Sequence, residues 1–224
     1  CHPESVSFTL SESRLRISEI FFSLQGEASR VGLPTVFVRL TGCPLRCTYC
    51  DTEYAFQGGE WRSIDEILTQ VRAYPTRHVT VTGGEPLAQK ACLELLTDLC
   101  DAGCDVSLET SGALDIGAVD PRVSRIVDLK TPASGEVARN LLSNLRLLNP
   151  HDEVKFVLAD AADYDWAKAM LFEHAIHQSC PVLFSPVWSR IDPAELAQWI
   201  LRDGLPVRMQ VQLHKILWQE AKGR

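Results

Sequence analysis

The chain has 224 residues, 46% of them hydrophobic, and a formal net charge of −7. This length accommodates one large domain with a sizeable core, the acidic balance argues against a broad nucleic-acid surface, and no apolar run is long enough to span a membrane. Eight cysteines in a chain neither small nor visibly secreted do not read as a disulfide framework, and with no signal-peptide pattern a soluble cytoplasmic protein is expected.

In chain order, residues 1–17 carry no motif and read as an N-terminal extension. Val36 to Leu40 (VFVRL) is a strand that runs straight into "GCPLRCTYCDT", Gly42 to Thr52. Ser63 and Glu66 form a capping-box signature, and Ile64, Ile67, Leu68 and Val71 mark one face of the helix it opens. Val79 to Thr82 is a strand stopped by Gly83-Gly84. A helix is expected from about Ala88 to Ala102, with Gly103 as its stop. Further strands are expected at Asp105–Glu109, Ile126–Lys130, Glu153–Leu158, Pro181–Phe184 and Val207–Gln212. Helices are expected at Glu136–Leu148, Asp163–His177 and Pro193–Arg202, the last with Asp192 as cap and Gly204 beyond its end. Residues 216–224 form a C-terminal tail. The whole, 1–224, reads as one domain.

Alternating strands and helices predict a parallel sheet with right-handed crossovers. Six or seven strands are too few for a closed eightfold barrel of roughly 250 residues. The expected architecture is an α/β fold, a partial, open (β/α)6-type barrel with reduced helices; a doubly wound sheet is the alternative. Polar and glycine residues gather at the strand ends: Gly42-Cys43, Gly83-Gly84-Glu85, Thr110-Ser111, Lys130, Ser185, and Gln212 with His214. Parallel α/β folds place their sites at such ends, so one shared pocket is predicted.

Cys43, Cys47 and Cys50 have the spacing C-x3-C-x2-C. Structural zinc takes four ligands in closely spaced pairs, and Cys1, His78 and Cys92 offer no such pairing as a fourth. A reactive cysteine needs one thiolate beside a base, not three. A cubane iron–sulfur cluster suits three closely spaced thiolates and leaves one iron open to a small molecule. Cys92, Cys100, Cys104 and Cys180 read as buried, reduced thiols, and His2, His78, His151, His174 and His177 as surface or packing residues.

The C-x3-C-x2-C run with Tyr49 before its last cysteine resembles the radical S-adenosylmethionine (SAM) enzymes, and "TGGEP" at Thr82–Pro86 strengthens the resemblance. It implies that the open iron of a 4Fe–4S cluster chelates SAM, which one electron cleaves to a 5′-deoxyadenosyl radical. "EIFFSLQGEASRVGLPTVFVRLTGCPLRCTYCDT" (Glu19–Thr52), with Glu109-Thr110-Ser111-Gly112, Asp128-Leu129-Lys130 and His214-Lys215, closely resembles the 7-carboxy-7-deazaguanine synthases. That resemblance implies conversion of 6-carboxy-5,6,7,8-tetrahydropterin to 7-carboxy-7-deazaguanine with loss of ammonia, assisted by magnesium. It implies a homodimer and a flavodoxin-type reductant.

By the same resemblance, Leu24, Gln25, Gly26, Glu27, Arg39, Thr82 and His214 contact substrate. Arg39 could pair with the substrate carboxylate through its guanidinium fork. Tyr49, Cys50, Asp51, Gly84, Ser111, Asp128, Leu129, Lys130 and the stretch Ser185, Pro186, Val187, Trp188 surround the cofactor. Thr52 offers magnesium a hard oxygen. Ala28 departs from the pattern, since many members carry glycine there, and so does the longer C-terminus. Two rivals remain: a radical SAM activase that installs a glycyl radical on a partner enzyme, and a non-catalytic metal-binding interaction module.

Overall fold

The computed structural model describes residues 13–219 and 223. Its nine strands form one sheet in the order β3-β1-β2-β4-β5-β6-β7-β8-β9. Strands β1 (Arg14–Leu24), β2 (Pro34–Leu40) and β3 (Glu60–Ser63) make an antiparallel flank. From β2 onward the pairing is parallel through β4 (His78–Gly83), β5 (Asp105–Thr110), β6 (Ser124–Asp128), β7 (Glu153–Leu158), β8 (Val182–Pro186) and β9 (Arg208–Met209). The sheet ends at β3 on one side and β9 on the other, which makes it the open partial barrel expected. The extra strands β1 and β3 lie outside the parallel series, and β1 starts at Arg14, inside the expected extension.

Helices α1 (Ile64–Arg72), α2 (Cys92–Asp101), α3 (Ala161–Glu173) and α4 (Pro193–Asp203) accompany the parallel strands. Each parallel strand is apolar toward them: Val36, Val38 and Leu40 of β2 and Val154, Phe156 and Leu158 of β7 are fully buried in the core. The opposite residues of the same strands face the barrel interior, as a side-chain period of two requires. Ser63 caps α1 by accepting from Glu66 N at 3.2 Å, while Glu66 Oε2 accepts from Ser63 N at 2.8 Å. The apolar face of α1 is the one its periodicity gave.

Three expected elements differ. The helix over Glu136–Leu148 is replaced by short 3-10 turns at Val137–Arg139 and Leu142–Leu147. Asn140 exchanges hydrogen bonds with the Lys130 backbone, and Asn144 donates to the carbonyls of Gly112 and Leu114. Such side chains offer backbone groups partners outside a helix, and Leu141, Leu142 and Leu147 stay exposed. The helix expected from Ala88 begins at Cys92, after a 3-10 turn at Pro86–Ala88 capped by Glu85. The last strand shrinks to Arg208–Met209, and the chain turns into α5 (Leu213–Trp218). His214 therefore sits on a helix, and the expected tail is helical as far as Trp218.

The loop between β1 and β2 folds into the barrel. Buried Ala28 packs with Ile126 of β6 and Leu183 of β8. The Gln210 side chain takes both its backbone groups, accepting from Ala28 N at 2.7 Å and donating to Ala28 O at 3.1 Å. This anchoring puts Gln25, Gly26 and Glu27 inside the barrel.

Candidate active site

A cavity of about 590 Å³ opens at the carboxyl ends of the parallel strands. Cys43, Cys47 and Cys50 line it, with Gly84 and Ser111 beside them and Gln25, Glu27, Arg39 and Thr82 further along. The shared pocket expected from polar strand ends is therefore present.

The cysteine loop leaves β2 at Gly42, whose φ of +99° suits only glycine. Its two sides are tied to neighbours by backbone and polar side chains, not by the thiols. Gly42 N donates to Ala55 O at 2.7 Å, and Thr48 N donates to Ser134 O at 3.0 Å. Arg46 Nη1 closes on the Cys43 and Leu45 carbonyls. Buried Asp163 holds the flanking segment from behind, accepting from Thr131 Oγ1, Ala133 N and Ala159 N. Burial raises each of the three thiol pKa values, and the Lys130 cation works against burial at all three.

The Gly83-Gly84 turn meets that loop at backbone distance. A Cβ on Gly84 would lie 2.3 Å from the Gly42 carbonyl oxygen and 2.7 Å from Cys43 Cβ. Glu85 follows, fully buried and, among the described residues, in no salt bridge. Its carboxylate accepts from Leu87 N, Thr110 Oγ1, Ser111 N and Ser111 Oγ, enough bonds to satisfy a buried charge. Glu85 thereby locks the glycine turn to the end of β5.

The three cysteines fit a cluster better than an ion. Among the described residues no three His, Cys, Asp or Glu side chains converge so as to hold a single metal ion. The thiols instead border one cavity, close to a cation that favours their ionised form. Soft thiolates on a glycine-bounded loop are the donor set of an iron–sulfur centre.

At the far end of the cavity, Gln25 Nε2 donates to Thr80 Oγ1 at 3.0 Å, and Thr82 Oγ1 donates to Glu109 Oε2 at 3.1 Å. Glu27 accepts from Gln212 Nε2 at 2.7 Å and pairs with Lys155 at 2.5 Å. Burial raises the Glu27 pKa, but Lys155, Gln212 and His214 reverse this and hold it at about 2. Arg39 Nε pairs with Glu19 at 2.8 Å, and its guanidinium lies over the Phe21 and Tyr54 rings. The expected fork of Arg39 is thus partly engaged from its Nε side. His214 packs on Gly26, where a Cβ would come within 2.5 Å of its Nδ1. Thr52 donates its hydroxyl proton to Asp51 at 2.7 Å, which leaves the oxygen lone pairs for other partners.

Of the residues expected at the site, Leu24, Gly26, Tyr49, Asp51, Thr52, Asp128, Lys130, Val187, Trp188 and His214 also line the cavity. Leu129, Ser185 and Pro186 are not among the lining residues. Leu129 points the other way from Asp128 and Lys130 and is buried in the core, and Ser185 and Pro186 are buried at the end of β8. Glu109 and Gln212, marked in the sequence by a family-like stretch and a strand end but given no role there, line the cavity, and so does Lys155, which had not been singled out. Lys155 had a signal in the sequence, a lysine inside the apolar strand EVKFVL.

The open barrel, the three-thiol loop and the glycine turn define a radical SAM domain, and residues 37–131 match the Radical SAM superfamily. Relatives narrow the class. The 7-carboxy-7-deazaguanine synthase of Chlorobaculum tepidum is 49% identical over 217 residues, covering 95% of this chain and 99% of the relative. That of Koribacter versatilis is 43% identical, over 93% of this chain and all of the relative. The crystal structure of QueE from Escherichia coli shares the fold, with a TM-score of 0.75 over 90% of this chain and 95% of that one at 24% identity. The chain belongs to the 7-carboxy-7-deazaguanine synthase family, a family of radical SAM enzymes that uses a 4Fe–4S cluster and SAM. These matches favour neither the glycyl-radical activase nor the non-catalytic module.

Proposed function

We propose that the chain converts 6-carboxy-5,6,7,8-tetrahydropterin to 7-carboxy-7-deazaguanine with release of ammonia, a step in queuosine-type 7-deazapurine biosynthesis. The observation that supports this most is that the cysteine loop, the Gly83-Gly84 turn and the Gln25–Glu27 loop share one cavity. The cluster, when bound, supplies the electron that cleaves SAM. Cys43, Cys47 and Cys50 hold it in this reading. Tyr49, Asp51, Gly84, Ser111, Asp128, Lys130, Val187 and Trp188 enclose the cofactor, with Leu129, Ser185 and Pro186 contributing backbone. Ionised Glu27, with Gln25, reads the donor and acceptor edge of the pterin. Leu24, Gly26, Thr82 and His214 shape the pocket around it, and Arg39 receives the substrate carboxylate. Thr52 offers one oxygen to magnesium, with substrate and water completing the shell.

The chain is read as one domain, 1–224, acting as a homodimer in the cytoplasm with a flavodoxin-type reductant. No helix among the described residues is long and apolar enough to cross a membrane. Anaerobically reconstituted, reduced protein given the carboxytetrahydropterin, SAM and magnesium should yield carboxydeazaguanine, detected by mass spectrometry. Cluster-loaded protein that cleaves SAM but leaves the pterin untouched would defeat the substrate assignment.

A further inference from the structure

Lys155 is the third residue of β7. Its neighbours Val154 and Phe156 are in the core, whereas Lys155 and Val157 line the cavity. An ammonium taken from water is costly unless paired. The Lys155 side chain is only 10% exposed, and carboxylates from three different parts of the chain surround it. Its Nζ lies 2.5 Å from Glu27 Oε2 and 3.9 Å from Asp128 Oδ2. Glu109 of β5 acts on it through space. Burial pushes the Lys155 pKa down, but these three carboxylates outweigh it and keep it above the ordinary lysine range. Lys155 is thus a fixed positive charge and not a proton carrier at neutral pH.

The other oxygen of Glu27, Oε1, accepts from Gln212 Nε2 at 2.7 Å. One carboxylate is therefore clamped at both oxygens, by β7 on one side and by the segment entering α5 on the other. A carboxylate has about four lone-pair sites, so this clamp fixes its direction and still leaves sites for a ligand. A heterocycle edge with two adjacent N–H donors, as in a pterin, matches a carboxylate fixed in this way.

We propose that Lys155 is the positioning residue of the pterin end of the cavity: it aims the Glu27 carboxylate at the donor edge of the substrate, and its second contact, to Asp128, ties that edge to the cofactor end. The proposal rests on the pterin reading given above. Lys155 acts through Glu27 and touches no reacting atom.

Reconstituted, SAM-loaded protein without reductant cannot turn over, so its equilibrium Kd for 6-carboxy-5,6,7,8-tetrahydropterin can be measured by calorimetry. Lys155→Met, which keeps an unbranched side chain as far as Cε and removes the charge, should weaken binding by about tenfold or more, as expected for a lost charged hydrogen bond. Glu27→Gln should do the same. The double variant should bind no more weakly than the weaker single variant, because the two residues act as one unit. Lys155→Arg, which keeps the charge, should recover most of the loss. Iron content and thermal midpoint of each variant separate positioning from folding. If Lys155→Met alone does not fold, the double variant, which removes both charges, is compared with Glu27→Gln: equal Kd values support the proposal. A tenfold further loss in the double variant, or a Lys155→Met protein with unchanged Kd, overturns it while the pterin reading stands. An unaltered protein that binds no pterin overturns the reading itself, and the proposal with it.

Discussion

At the residue scale, the site depends on groups whose environment overrides their ordinary chemistry. Burial pushes the His214 imidazole below its usual 6.5, against the pull of Glu27 and Asp51. Burial would raise Glu27, but Lys155 and its other partners hold it down from 4.5 to about 2. Both folded pKa values lie below the unfolded ones, so the unfolded chain takes up protons first as pH falls. The stabilisation is complete at neutral pH. The His214 part is lost below about 6.5 and the Glu27 part between about 4.5 and 2. Denaturant midpoints should fall from neutral pH to mildly acid pH, and His214→Gln should flatten that first slope. A slope unchanged in that variant would show that the imidazole does not drive it. Cys47→Ala should abolish cluster binding, measured as iron and sulfide, and all turnover. It should change stability by less than about 0.5 kcal/mol, because the loop is anchored through Arg46, Thr48 and Gly42 rather than through the thiol. A variant that keeps its iron would remove Cys47 from the ligand set. Ala28 shows why glycine suits its position: its φ is +63°, a left-handed conformation that costs a residue with a Cβ about 1 kcal/mol or more.

At the element scale, local chemistry decided some boundaries and distant partners decided others. The start of α1 was legible because the Ser63–Glu66 reciprocal pair is complete within four residues. Ser63→Ala should lower stability by about 1 kcal/mol, read as a thermal midpoint shift, with turnover unchanged because α1 lies away from the cavity. Loss of turnover without loss of stability would contradict that separation. The segment 136–148 misled because its leucines recur at helical spacing while its asparagines are claimed by backbone groups of other segments. Likewise Val207–Gln212 reads as a strand, but Gln210 is drawn to the Ala28 backbone across the barrel. Strand β1 escaped notice because it is an antiparallel flank, outside the strand–helix alternation that organised the rest; its register also shifts between Ile17 and Glu19.

At the scale of the whole molecule, the barrel is held at its two ends by different means. The site end is tied by the buried Glu85 and Asp163 hydrogen bonds. Near the start of β6, Arg125 pairs with Asp152, which is completely buried, and reaches the Leu147 carbonyl. Arg125→Met should destabilise the protein by about 3–5 kcal/mol, since it strands a buried carboxylate; a denaturant-unfolding change under about 1 kcal/mol would show that water or rearrangement satisfies Asp152. The sequence by itself determined the fold class, the cysteine loop, the glycine turn and most of the pocket, because short-range spacing and the period of two along parallel strands fix which residues reach the strand ends. Only the tertiary structure decided that Glu27, Lys155 and Gln212 meet, that Leu129 turns away into the core, and that the β1–β2 loop enters the barrel. The contacts of Glu27 with Lys155 and Gln212 join residues more than a hundred positions apart, and no local pattern in the chain records the pairing of a buried charge with a partner that distant.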